Sequence, residues 1–154
     1  MLKKIALLVK SQGHLVLATC AQGEPHTSLM SFAAAPGTPE TGGEFWLATL
    51  ADTRKYANLQ ANPQASLLLD DRGGQGQGSA PVAPSLALTV AARSVPFDTA
   101  EQEGAARQAL LHRHPGLKSF LDRPEVLVIR FVATRYQLLE GLTQTFVHES
   151  AKNP

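Results

Sequence analysis

The chain has 154 residues, which is enough for one domain with a sizeable core and leaves little room for a second. Hydrophobic residues make up 44% of it, as in a globular protein, and the formal net charge of +1 gives no electrostatic footprint for nucleic acid or an acidic membrane surface. Its single cysteine, Cys20, excludes an internal disulfide and a metal site built on several thiolates.

The N-terminal residues superficially resemble a secretory leader, because two lysines precede a short apolar run at residues 5–9. That run is too short for a signal peptide, Lys10 interrupts it, and no small-residue cleavage site follows. No stretch of the chain approaches the length needed to span a membrane. We therefore expect a soluble cytoplasmic protein.

The start of the chain predicts a helix and a hairpin. Four apolar residues among the first nine share one face at helical spacing, and Gly13 ends the amphipathic helix that they predict. Residues 14–20 have the apolar content of a strand, a turn follows at residues 21–25, and a second strand runs over residues 26–35. The two strands are expected to pair with each other.

The next segment predicts a strand that leads directly into a short helix. Residues 36–43 form a proline- and glycine-rich loop that is expected to be exposed, and residues 44–50 predict a strand. Asp52 is a good N-cap for a helix over residues 53–61, which the Asn62-Pro63 pair ends.

The second half of the chain contains one low-complexity loop between further strands. Residues 72–84 are dominated by Gly, Gln, Ser, Ala and Pro, which predicts a flexible loop. Its glycines are not followed by the Lys-Ser/Thr pair and helix of a phosphate loop, so no nucleotide motif is assigned. The other elements are strands at 65–70 and within 85–97, a helix from a capping box at 98–101 to His112, a short helix at 117–121, and strands at 125–133, 136–140 and 143–148.

Six or seven strands with tight turns and short helices between them indicate a mainly β chain of the α+β type. An antiparallel barrel is favoured over a parallel sheet, because closure protects the edges of so many apolar strands. The pattern alone also allows a sandwich or an open sheet. We expect a single domain over residues 1–149 and a polar tail at 150–154.

The start of the central helix has the chemistry of an anion site. Thr49 and Thr53 offer hydroxyl groups, and Arg54 and Lys55 offer cationic donors. The free N–H groups and the positive end of the helix dipole favour a phosphate at the same place. The alternative is a solvated helix start that is satisfied by its own cap and by water.

The sequence gives little support for a metal site or for hydrolase chemistry. His112 and His114 are two residues apart and have no nearby carboxylate pair, so no metal site is assigned. His26 and His148 fall in predicted strands, where either a cofactor contact or an ordinary core hydrogen bond is possible. No nucleophile elbow, Ser-His-Asp order or paired-carboxylate motif is present, and the catalytic residues are unknown.

The order of elements resembles the FMN-binding split barrel of the pyridoxamine 5'-phosphate oxidase-like superfamily. The resemblance rests on the LVLATC-turn-HTSLMSF hairpin, on FWLATLADTRKYANLQANP followed by ASLLL, and on LALTVAARSVP. Its most specific part is a Thr, then a second hydroxyl residue, a basic pair and an Asn-Pro. These positions are held here by Thr49, Thr53, Arg54, Lys55, Asn62 and Pro63.

The resemblance implies an antiparallel split β-barrel that binds FMN. Thr49, Thr53, Arg54 and Lys55 would then hold the phosphate. The flavin ring and ribityl chain would lie along the strand that carries residues 28–31, namely Ser28, Leu29, Met30 and Ser31. A homodimer with the cofactor at the subunit interface is implied as well, and Gln144 or Phe146 of the second subunit would complete the site.

The expected function is therefore that of an FMN-dependent oxidoreductase acting on a small molecule. Two alternatives remain on the same fold: a protein that binds flavin or haem without turnover, and a deazaflavin-dependent reductase. The C-terminal third also resembles the haem-utilisation branch, although residues 141–144 lack the fuller glycine- and aromatic-rich segment of that branch. Pyridoxamine phosphate oxidation itself is not expected, because only His148 and Lys152 offer cations after Tyr136.

Overall fold

The computed structural model describes residues 1–40, 43–72 and 84–150. The predicted flexible loop at 72–84 therefore lies almost entirely outside the described residues, as does the end of the predicted tail. The helices are α1 (Leu2–Ser11), α2 (Arg54–Ala61), α3 (Ala100–Arg113) and α4 (Lys118–Leu121), the last preceded by a 3-10 turn at Pro115–Leu117. The strands are β1 (His14–Ala21), β2 (Glu24–Ser31), β3 (Ala33–Ala34), β4 (Glu44–Leu50), β5 (Gln64–Asp70), β6 (Leu86–Ser94), β7 (Val126–Glu140) and β8 (Gln144–Glu149).

The strands form one antiparallel sheet that curls into a half-barrel, which confirms the predicted fold class. Their order is β2-β1-β5-β6-β7-β4-β3, and β8 pairs with the second half of β7. β1 and β2 form the predicted hairpin, in which Leu17 lies opposite Ser28. No helix of the described ranges is long and apolar enough to span a membrane.

The core lies on the inner face of this sheet. Alternate residues of β1 point inward, so Leu15 and Leu17 are buried while Val16 and Ala18 face the other side. α1 adds Ile5 to the same cluster. Full burial of an aliphatic side chain of this size contributes about 1.5–3 kcal/mol, so the inner face supplies much of the stability.

A second, smaller cluster lies beneath α3 and α4. Ala106 and Leu110 of α3 and Leu121 of α4 pack there with Val126 and Val128 of β7. The Arg107 guanidinium links α3 to α4 and β7 by donating to the carbonyl oxygens of Leu121 and Val126 at 2.6 and 2.8 Å. The first half of β7 is therefore covered on both faces.

Two strand predictions were wrong in their boundaries. The predicted strands at 125–133 and 136–140 are one strand of 15 residues, β7, because Thr134 is accommodated as a bulge opposite the Ala91–Ala92 step of β6. The strand predicted to run over 26–35 begins at Glu24 and ends at Ser31, and β3 then pairs with β4 instead of with β1.

Two helix caps were also predicted at the wrong residue. α2 is capped by Thr53 rather than Asp52, and the Thr53 hydroxyl donates to the Leu50 carbonyl oxygen at 2.9 Å instead of accepting from the helix. α3 is capped by Thr99, whose Oγ1 accepts from the Gln102 N–H at 3.2 Å. In both cases the competing hydroxyl residue lies next to the aspartate that the sequence favoured.

The loop before β4 is not fully exposed, contrary to expectation. Thr38 is only 8% exposed, and its Oγ1 accepts from the Glu44 N–H at 3.2 Å. Gly43 is buried with a φ of +66°, and a Cβ atom there would collide with the hydroxyl of Tyr136. Glycine is therefore required at the entry to β4 on both conformational and steric grounds.

Candidate functional site

The turn between β4 and α2 brings two hydroxyl groups together. Thr49 is the penultimate residue of β4 and is 3% exposed, and its Oγ1 lies 3.1 Å from Oγ1 of Thr53. Because the Thr53 hydroxyl donates to the Leu50 carbonyl oxygen, the proton between the two threonines belongs to Thr49. Both hydroxyl protons are thus used inside the turn. For either hydroxyl to donate to a bound anion, its proton would have to turn away from its present partner.

The backbone of α2 supplies donors that need no rearrangement. The first bond within the helix runs from the Ala57 N–H to the Thr53 carbonyl oxygen at 3.1 Å. The N–H groups of Arg54, Lys55 and Tyr56 therefore precede the helical ladder, and the helix dipole adds partial positive charge at the same end. This geometry fits a dense anion such as phosphate.

The two cations differ in their surroundings. Arg54 forms an ion pair with Glu24 at 2.7 Å, and this pair joins the start of α2 to the start of β2. Lys55 is half-buried and makes no ion pair or side-chain hydrogen bond with the described residues. An anion that binds Lys55 therefore has no other described group to displace from it.

Two asparagines fix α2 to β1. Asn58 is 7% exposed, and its Nδ2 donates to Oγ1 of Thr19 at 3.1 Å. Asn62 donates to the Cys20 carbonyl oxygen at 3.0 Å. Sequence reasoning used Asn62 as a helix breaker and as part of the family motif, and it missed both Asn58 and Glu24. For Asn58, the available signal was an Asn on the inward face of a short helix. Glu24 had no such signal, because an ion-pair partner that is distant in sequence leaves no local pattern.

The four candidates on β2 do not present a single surface. Ser28 lies opposite Leu17 and Met30 opposite Leu15, so both point to the inner face. Leu29 lies opposite Val16 on the outer face and is 72% exposed. Ser31 shares the outer face with Leu29, so the side chains of only one alternating pair can meet a given ligand.

The structure therefore places Thr49, Thr53, Arg54 and Lys55 in one strand–helix turn, and the Arg54–Glu24 ion pair joins β2 to it. At about 3.3 Å per residue, Ser28 lies roughly 13 Å along β2 from Glu24. Two of the five histidines make ordinary polar contacts: Nε2 of His114 is 2.8 Å from the Phe32 carbonyl oxygen, and Nε2 of His26 is 3.4 Å from Oγ of Ser28. Within the described ranges, no group of three or more His, Cys, Asp or Glu side chains is arranged to hold a metal ion.

The outer face of the sheet carries a row of uncharged residues, which we call the outer row. Cross-strand register aligns six residues from β2, β1, β5, β6, β7 and β8 in turn. Leu29, Leu68 and Val147 of this row are 72%, 38% and 46% exposed. When one face of an antiparallel sheet is in contact with water, the side chains on that face are usually polar. The members of the outer row are Leu29, Val16, Leu68, Thr89, Gln137 and Val147.

An antiparallel half-barrel with this helix-start site defines a protein of the split-barrel class. The family model described as pyridoxamine 5'-phosphate oxidase matches residues 1–138. The chain therefore belongs to the pyridoxamine 5'-phosphate oxidase-like family, as its sequence predicted.

Three proteins are similar to this chain in sequence or in fold. A pyridoxamine 5'-phosphate oxidase homolog of Schizosaccharomyces pombe is 34% identical over 87 residues, which is 54% of this chain and 46% of that protein. A heme binding protein from Mycobacterium smegmatis has a TM-score of 0.75 at 22% identity, covering 92% of this chain and 55% of that one. An FAD-binding protein from Mesorhizobium loti has a TM-score of 0.69 at 13% identity, covering 92% and 95%. The match thus spans about half the length of the first two proteins, and the two structural likenesses show the fold alone.

Proposed function

We propose that this chain binds FMN through the start of α2 and acts as a flavin-dependent oxidoreductase on a small molecule. The observation that carries the proposal is that Lys55 and the hydrogen-bonded pair Thr49–Thr53 belong to the same helix start as the free N–H groups of α2. Backbone donors, a cation without a competitor and orientable hydroxyls are together what a phosphate monoester requires.

The residues of the site would divide the work between them. Lys55 and Arg54 would neutralise the phosphate charge, the α2 N–H groups would orient it, and β2 would run beside the rest of the cofactor. FMN would supply the electron or hydride transfer, so the protein would mainly provide position and electrostatics. No catalytic side chain is assigned.

The outer row supports a homodimer as part of this proposal. Its exposed leucines and valine would be covered by a second copy of the chain, because a soluble antiparallel sheet face of this composition gains stability when it is removed from water. The row includes Leu29 of β2, so the subunit contact would lie next to the strand that borders the cofactor. Phe146, which is 39% exposed on β8, lies opposite Leu138 and therefore on the inner face of the sheet, away from this contact.

Haem is the second candidate ligand, because a similar solved structure is that of a heme binding protein. Haem has no phosphate, but its two propionate groups are carboxylates that would also bind Lys55 and the N–H groups of the helix. The absorption spectrum, rather than the anion site, therefore distinguishes haem from flavin. A deazaflavin cofactor has a phosphate and would use the same anion site as FMN.

The test is retention of ligand through gel filtration, read from the absorption spectrum. The protein is loaded with FMN, with riboflavin or with haem in parallel. Retention of FMN near one per chain, with riboflavin washing through, is the expected result because riboflavin lacks the phosphate. If neither flavin is retained and haem is, the flavin proposal fails.

A further inference from the structure

A cleft of about 270 Å³ lies on the other flank of α2, apart from the candidate phosphate site. Helical spacing places Tyr56 and Gln60, which line it, on a different face from Arg54 and Asn58, which contact β2 and β1. The cleft shares none of Thr49, Thr53, Arg54 and Lys55. Its other walls are Pro96 and Phe97 before α3, Glu103 of α3, and residues 127–130 of β7.

The floor of the cleft is a gap in the sheet. β4 pairs with the first half of β7, but β6 pairs with β7 only from Phe131 onward. On the side away from β4, the Arg130 carbonyl oxygen accepts from the Val95 N–H at 2.9 Å, and the Val126 carbonyl oxygen accepts from Arg107 at 2.8 Å. Val128 lies between these two residues, and no strand of the described ranges pairs with it on this side.

The backbone N–H and C=O groups of successive residues in β7 point to opposite sides, and this alternation determines the direction of the Val128 groups. The N–H of Ala133 donates toward β4, to Gly43, whereas the carbonyl of Arg130 faces the opposite side. Residues of even number in this part of β7 therefore turn their backbone groups away from β4. The N–H and C=O of Val128 consequently point into the cleft, at a residue that is only 8% exposed. A buried donor and acceptor of this kind cost free energy unless a partner satisfies them.

The charges around the cleft are already paired. Arg130 donates to Glu44 at 2.6 Å and to the Pro96 carbonyl oxygen at 3.1 Å, and Glu103 lies 3.7 Å from Arg107. The cleft therefore offers no unopposed charge to a ligand. It offers two aromatic side chains, Tyr56 and Phe97, one adjacent donor–acceptor pair at Val128, and the side-chain amide of Gln60.

We propose that this cleft is a binding site for a small, neutral, planar ring that carries adjacent N–H and C=O groups, as in a cyclic amide or a pyrimidine. The ring's C=O would accept from the Val128 N–H, and its N–H would donate to the Val128 C=O. Tyr56 and Phe97 would contact its faces or edges. This site is independent of the proposed flavin function, since it uses the opposite flank of α2.

The test is a titration of the isotopically labelled protein with 2-pyridone, followed by NMR at the Val128 backbone amide. N-methyl-2-pyridone is the matched control, because it keeps the ring and the carbonyl but lacks the N–H. We expect saturable shifts at Val128 and Gln60 with 2-pyridone, and roughly 3- to 10-fold weaker binding of the methylated compound, as for loss of one hydrogen bond. Equal binding of the two compounds, or shifts confined to other residues, would overturn the proposal.

Two further measurements separate this site from its neighbours. Phe97→Leu should weaken 2-pyridone binding several-fold by removing an aromatic contact, whereas Phe120→Leu, at a half-buried phenylalanine of α4 outside the cleft, should leave it unchanged. Saturating FMN should also leave it unchanged. Competition by FMN would mean that the cleft belongs to the cofactor site, and the proposal of a separate ligand would then fail.

Discussion

Glu24 and Arg54 form an ion pair of 2.7 Å that joins the first residue of β2 to the first residue of α2. Their side chains are 74% and 53% exposed, so water screens the pair and its contribution to stability is small. A phosphate at the start of α2 would need the same guanidinium donors. Glu24 is therefore a competitor of the anion for which we propose the site.

Glu24→Gln is expected to raise the affinity for FMN roughly 2- to 5-fold, because the anion no longer has to displace a carboxylate from Arg54. The gain should shrink as salt is added. Flavin fluorescence titrations at two ionic strengths would measure it. Asp122→Asn, which breaks the exposed Lys118–Asp122 pair of α4, is the matched control. A lower affinity of Glu24→Gln would mean that Glu24 holds Arg54 in a productive position.

Lys55→Ala should weaken FMN binding more than Arg54→Ala. Loss of a charge-assisted hydrogen bond costs about 1.5–3 kcal/mol, or roughly 10- to 150-fold in Kd. Lys55 should show the larger effect since it is half-buried and has no competing partner among the described residues, while Arg54 is exposed and already paired. Isothermal titration with FMN would measure both variants. Equal flavin affinity in wild type and a folded double variant would remove the site assignment.

Leu29→Glu should convert the proposed homodimer to monomer, because it places a charge in the outer row. Leu7→Glu is the control: Leu7 is comparably exposed, at 66%, but lies on α1 rather than on the outer face. Sedimentation velocity at several protein concentrations would give the mass of each variant. If Leu29→Glu remains dimeric, a different surface holds the subunits together.

Tyr136→Phe should stabilise the fold by about 1 kcal/mol, because the Tyr136 hydroxyl is buried without a hydrogen-bond partner among the described residues. Burial, and then the charge of Glu40, raise the pKa of Tyr136 above its usual range. The unfolded chain loses this proton above about pH 10 while the folded chain keeps it, so wild-type stability should fall as the pH rises beyond that point. Urea unfolding at pH 8 and pH 11 checks both expectations. Tyr56→Phe serves as control, and a destabilised Tyr136→Phe would reveal a partner for the hydroxyl.

Asn58→Ala should destabilise the protein by about 1–3 kcal/mol, because it leaves the buried Thr19 hydroxyl without its donor and loosens α2 from β1. Gln60→Ala, at an exposed position of the same helix, should stay within about 0.5 kcal/mol of wild type. Thermal unfolding would compare the two variants. Similar melting temperatures would show that the Asn58–Thr19 bond does not hold α2 in place.

The sequence predicted most of the fold because its apolar residues are regularly spaced. β4 was located at its correct bounds, since residues 44–50 alternate between buried and half-buried positions and a turn follows at once. The caps of α2 and α3 were misplaced by one residue, because aspartate and threonine compete as caps and only the folded backbone decides between them. Boundaries of this kind depend on local geometry rather than on composition.

The candidate site was predictable only in its local part. Thr49, Thr53, Arg54 and Lys55 lie within seven residues of one another, so a helix start brings them together without help from the rest of the chain. Glu24 reaches Arg54 across 30 positions, and the gap beside Val128 exists because β6 turns away from β7. Contacts of this range arise from strand order, which no short motif encodes.

The bulge at Thr134 sets the phase of everything that follows it in β7. Before it, odd-numbered residues such as Ile129 and Phe131 point into the barrel; after it, even-numbered Tyr136 and Leu138 do so. If Thr134 instead took a regular place opposite Ala91, every later residue of β7 would shift by one position, and Tyr136 and Leu138 would turn toward water. The bulge therefore shifts the inward-facing positions of β7 from odd to even residue numbers. The apolar residues of the strand follow this shift.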